Sequence, residues 1–188
     1  KKNMIELKSF DQKFDVFWNN LPKNNKFLAE RDSASLKWRF DRAINKKKIS
    51  VLALYDQNNL TGYIIIMRSD NNDISLKRMQ IVDVQTLSND KENLNDLIAN
   101  AIMFARKQGV HILELVGFDD NVRHQASETN PYIRMLSYSP FFYKLTNKEL
   151  KNALLRTSSC CNSFLSWPMT CMNFLSTLSI ISIKAEFK

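Results

Sequence analysis

Hydrophobic residues along this chain change period several times, and each change marks an element. Met4 to Leu7 reads as a short strand. In FDQKFDVFWNNL, Phe10, Phe14, Phe17, Trp18 and Leu21 recur every three or four residues, the spacing of a helix with one apolar face. Pro22 and the Asn-rich PKNNK end it. SASLKWRF predicts a second short helix, with Ser33 as N-cap and Leu36 and Phe40 on one side. Trp18, Trp38 and Phe40 are read as core. Two β runs follow, VLALY (Val51 to Tyr55) and TGYIIIM (Thr61 to Met67), and the turn DQNNL between them signals a hairpin.

Beyond a second turn, SDNND, the run ISLKRMQIVDVQTL suits a long strand covered on both faces. Leu94, Leu97, Ile98, Ala101, Ile102 and Ala105 then trace the most continuous helical stripe in the chain. Asn89 with Glu92 three residues on has the form of a capping box, and Gly109 sits where a left-handed C-terminal residue belongs. VHILELVGF reads as a strand, DDNVRHQASETN as a helix stopped before Pro131, and FFYKLT as another strand. A buried strand, a helix and a strand in succession imply a crossover in a mixed sheet.

From Thr157 to Ile183 there is no charged residue, and Ser, Thr, Cys and Met dominate. The apolar residues there are too interrupted for a spanning helix, which needs about twenty predominantly apolar positions. A peripheral strand-like tail is expected instead. Residues 1–156 are thus expected to form one domain and 157–188 an uncharged tail, with a non-native continuation after a reading-frame error as the other explanation.

The 188 residues, 44% hydrophobic, suffice for one substantial core. Lys and Arg outnumber Asp and Glu by 27 to 19, a formal charge of +8 that suits an anionic partner such as nucleic acid, acidic lipid or a phosphate-bearing cofactor. The one tight cluster, Lys46, Lys47 and Lys48, lies between a helical pattern and a strand and reads as a solvated connector. No aromatic stacking pattern accompanies it, so neither nucleic acid nor membrane is an expected partner. KKNMIELK holds no apolar h-region. Cys160, Cys161 and Cys171 have no nearby His cluster and fit neither a zinc site nor a closed disulfide framework, which points to a reducing cytoplasm.

The order of hairpin, long strand, helix, strand, broken helix and final strand resembles the GNAT acyltransferase fold, an α/β fold with a mixed, mostly antiparallel twisted sheet flanked by helices. RDSASLKWRF (Arg31 to Phe40) is similar to a segment of one poorly characterised GNAT branch, as are NLTGYIII, IVDV and SYSPFFYK; the likeness covers roughly Met4 to Leu150. The resemblance implies acetyl-CoA or another acyl-CoA as co-substrate, a small-molecule or peptide amine as acceptor, direct transfer in a ternary complex, and no metal. It also implies that Val84, Gln85 and Thr86 flank the pantetheine arm and that the turn with Asn89 and Lys91 meets the pyrophosphate, where the donors and dipole of a helix N-terminus suit an anion. The glycines usual in that loop are absent: Ser88, Asn89, Asp90, Lys91, Glu92 and Asn93 stand there, with Lys91 as the one positive group.

For catalysis the resemblance points to Tyr132, one residue from the expected Tyr position, as the acid that reprotonates the CoA thiolate. Its ordinary pKa of about 10 permits that role. Asp83 in the buried strand is the first candidate for the general base and Glu114 the second, since Ile81, Val82 and Val84 around Asp83 favour a desolvation-raised pKa. His111 and His124 have no partner at triad or metal spacing. A tandem arrangement of two such domains or a homodimer fits the pattern. Two rivals are a non-catalytic GNAT-like module that lost its cofactor loop and a Fem-type aminoacyl-tRNA-dependent transferase.

Overall fold

The computed structural model describes residues 2–23, 29–87, 91–118, 120–129, 131–135 and 179–184. They belong to one of the two units into which the chain divides, 1–135 with 179–188. The other unit, 136–178, lies outside the described residues, and with it the expected strand FFYKLT.

The elements are β1 (Lys2–Leu7), α1 (Lys13–Asn20), α2 (Ser33–Asn45), β2 (Ile49–Asp56), β3 (Asn59–Arg68), β4 (Arg78–Thr86), α3 (Lys91–Lys107), β5 (Ile112–Val116), α4 (Asp120–Ser127), β6 (Tyr132–Met135) and β7 (Ser179–Lys184). The strands form one sheet in the order β1-β2-β3-β4-β5-β7-β6. Only the β4–β5 pair, bridged by α3, is parallel; the others are antiparallel. Among the described residues no helix is long and apolar enough to cross a membrane.

Both faces of the sheet are covered, as the apolar run of β4 predicts. The stripe of α3 packs on Leu52, Leu54, Ile64, Ile66 and Ile81, while α1 and α2 bury Phe10, Phe14, Phe17 and Leu36 against Val51, Tyr63 and Ile65 on the other side. Gly109, at φ 65, ends α3 in the left-handed conformation anticipated for it.

Three expectations are corrected. Asp32, not Ser33, caps α2: its extended backbone turns the carboxylate onto Ser35 N–H at 2.7 Å. Ser33 is already helical and instead donates its N–H and Oγ to Asp15, tying α2 to α1. Trp38 is no core residue but 86% exposed. It follows Leu36 and precedes Phe40 by two residues each, about 200° around the helix, and so faces away from the sheet. The stretch Ser179–Lys184 is a strand, but not a peripheral one, because it lies between β5 and β6 and pairs with both. The sheet therefore draws on residues both before and after position 156. Trp18 and Phe40 do pack against the core.

Candidate functional site

One irregularity in β4 organises the site. Ile65 of β3 faces Asp83, yet the next residue, Ile66, faces Ile81, so Val82 is an extra residue in β4. This β-bulge breaks the alternation of side chains. Ile81 and Val84 join the α3 core, whereas Val82 and Asp83 both turn to the α1/α2 face. Regular pleating would put Asp83 on the same face as Ile81, against the aliphatic stripe of α3.

At the bulge β4 also loses its neighbour. The parallel ladder to β5 stops at Ile81↔Leu115, while the ladder to β3 continues to Thr86↔Gly62. Leu87 N–H donates to Thr61 O at 3.0 Å, so by alternation Asp83 and Gln85 also turn their main-chain groups to β3. Val84 turns its N–H and C=O to the opposite side, past the last β4–β5 pair. Along the chain α3 follows β4. Lys91 is its first residue and is exposed; Ser88, Asn89 and Asp90 lie outside the described residues. Lys91 is not the sole cation there, because Lys2 of β1 reaches Glu92 at 2.9 Å and Asp96 at 3.6 Å. Glu92, an acidic side chain in the first turn of α3, is thereby matched.

Asp83 is buried and its two oxygens are engaged. Arg31 donates Nε to Oδ2 at 2.8 Å and Nη2 to Oδ1 at 3.2 Å, and Tyr63 OH donates to Oδ2 at 3.1 Å. Arg31 Nη1 also holds Ala29 O at 2.9 Å, which fastens the approach to α2 over the bulge. Burial works against the guanidinium's charge, but the Asp83 hydrogen bonds and charge outweigh it and raise its pKa. Burial and then the Asp83 charge push the Tyr63 phenol well above its usual range, so Tyr63 stays protonated as a donor.

Glu114 shares this face. It sits opposite Gln80, whose Nε2 donates to Oε2 at 2.9 Å, with Arg78 at 3.8 Å from the same oxygen. No donor reaches Oε1 among the described residues, so Glu114 keeps an oxygen available where Asp83 does not. Tyr132 lies on β6, on a strand and not a helix, and is 66% exposed. Its partner Ser182 is also the partner of Glu114, which aligns Gln80, Glu114, Ser182 and Tyr132 in one row across four strands. Asp83 stands three residues further along β4, about 10 Å from that row. Gln85 and Thr86 are half-buried past the bulge. His111 precedes β5 and accepts Lys77 N–H on Nδ1 at 3.2 Å. Among the described residues no group of three His, Cys, Asp or Glu is placed to hold a metal ion.

No family model matches the chain, and no curated protein does. Solved structures do match. An aminoglycoside acetyltransferase from an uncultured soil metagenomic sample aligns at 16% identity and a TM-score of 0.56 over 77% of this chain and 97% of its own. An N-acetyltransferase from Staphylococcus aureus aligns at 14% identity and 0.55 over 78% and 90%. A Bacillus subtilis acetyltransferase in complex with CoA aligns at 10% identity and 0.53, covering 98% of this chain and 99% of its own. The chain has the GNAT fold. In this GNAT sheet the sequence points to Asp83, Glu114 and Tyr132 but misses Arg31, Tyr63 and Gln80. Arg31 lies 52 residues from Asp83, and no local spacing connects them.

Proposed function

We propose that this GNAT domain moves an acetyl or other acyl group from acyl-CoA to an amine by direct transfer. The observation that carries the reading is the end of the β4–β5 ladder at Ile81, before β4 itself ends at Thr86, with α3 next along the chain. An extended pantetheine arm fits alongside Val84, whose N–H and C=O complete a strand-like pairing with its amides. The pyrophosphate is then directed to the first turn of α3, near Lys91 and Lys2. Glu114 Oε1 takes the proton of the acceptor amine, whose lone pair attacks the thioester carbon. The C–S bond breaks as the tetrahedral intermediate collapses, and the Tyr132 hydroxyl returns a proton to the thiolate. Asp83, with both oxygens engaged by Arg31 and Tyr63, holds those two side chains in place beside the bulge.

Calorimetric titration of acetyl-CoA and of free CoA into the chain at low salt tests this. Binding is expected, and Lys91→Glu is expected to weaken it roughly tenfold, as reversing one solvent-screened charge near a phosphate does. A folded sample that binds neither ligand abandons acyl-CoA transfer. Binding of charged tRNA by the same sample then identifies the Fem-type reading, and its absence leaves a non-catalytic module.

A further inference from the structure

The exposed ring of Trp38 has cationic company. Lys37, Arg39, Arg42, Lys46, Lys47 and Lys48 are all exposed, against the single acid Asp41 in the same stretch. Trp38 and Arg42 are one turn apart on the outward face of α2, and Lys46 lies one turn further. Elsewhere on the surface Arg68 is matched with Asp70, Arg123 with Asp120 and Lys2 with Glu92. Those of α2 and its connector are in no ion pair among the described residues. Favourable placement at the negative end of the helix dipole accounts for Arg42 and Lys46. It gives no reason to hold an indole in water.

We propose that this face of α2, continued by the Lys46–Lys48 connector, binds single-stranded nucleic acid, with phosphates along the cations and one unpaired base stacked on Trp38. From Lys37 to Lys46 the row runs about 14 Å, the reach of roughly four nucleotides at ~3.4 Å each. A flat ring amid unmatched positive charge is the pairing that sequence-tolerant strand binders use. A duplex hides its base faces from such a ring. A membrane surface calls for a broad apolar stripe, whereas Trp38 and Ala34 are the only apolar residues near the centre of this face. The lysine cluster gains an aromatic partner only through the fold, because the sequence pattern places Trp38 in the core.

Fluorescence anisotropy of a labelled 15-mer oligouridylate with the full chain at about 50 mM salt is the test. Micromolar binding is expected, with Trp38→Ala weakening it between about fivefold and a hundredfold. Arg42→Glu combined with Lys46→Glu is expected to weaken it and to flatten the log–log salt dependence by about 1.4, the share of two phosphate contacts on a single strand. Unchanged far-UV circular dichroism of these surface variants and unchanged acetyl-CoA titration separate this face from the acyl-transfer reading. No binding to the oligonucleotide, equal binding to a duplex of the same length, or affinity indifferent to Trp38→Ala each overturns the proposal. So does sedimentation of the chain with phosphatidylserine vesicles when the oligonucleotide fails to bind.

Discussion

Towards α3 the sheet sends aliphatic side chains, Leu52, Leu54, Ile64, Ile66, Ile81 and Val84 among them. Towards α1 and α2 it sends Tyr55 and Tyr63, packed with Phe10, Phe14 and Phe17, and on the same face it carries the carboxylates Asp83 and Glu114. A buried carboxylate is tolerated only where donors meet it, and Arg31, Tyr63 and Gln80 supply them on that face alone. One face of the sheet therefore stores stability and the other holds groups that can do chemistry.

Truncating the aliphatic face is expected to have the largest effect. Leu97 is fully buried, and Leu97→Ala should cost about 3 kcal/mol in urea unfolding, from lost burial plus the cavity left behind. A loss below about 1 kcal/mol would erase the contrast between the faces.

On the other face, Asp83→Ala leaves the half-buried Arg31 without its carboxylate and should cost roughly 1–3 kcal/mol. Arg31→Met together with Asp83→Leu should recover most of that, since a matched apolar pair needs no counter-charge. If the double variant is as unstable as the sum of its parts, the pair is not the coupled unit described above.

The smallest effect concerns the surface. Hydrogen bonds from Ser35 N–H to Asp32 and from Arg78 N–H to Asp70 hold both carboxyls below their ordinary range. A depressed carboxyl stabilises the fold above its unfolded pKa and loses that contribution as pH falls through the folded value. Melting temperature should accordingly be insensitive to these two groups from pH 7 to about 5 and decline below about 4. Asp32→Asn, which keeps an acceptor for the cap, should make that decline shallower, and an unchanged acid limb would show that Asp32 does not contribute to it.

Much of this was readable from local pattern. The stripe from Leu94 to Ala105, the hairpin of β2 and β3 and the left-handed Gly109 follow from 3.6- and 2-residue periods and from the freedom of glycine, which neighbouring residues suffice to express. Local pattern also picked out Asp83 and Glu114 as carboxylates inside apolar strands. It ranked Asp83 before Glu114, whereas in the fold Glu114 keeps Oε1 and both oxygens of Asp83 are taken, a difference that rests on an arginine 52 residues away. The bulge at Val82 is likewise a matter of register between two strands, and it alone decides which face Asp83 occupies. Tertiary pairing also set Ser179–Lys184 between β5 and β6, and the packing of α2 on β2 turned Trp38 to solvent. Period depends on neighbours along the chain, whereas face, partner and strand order depend on which distant segments bury each other's apolar surface and satisfy each other's hydrogen bonds. The sequence by itself determined the elements, and only the tertiary structure decided what they present.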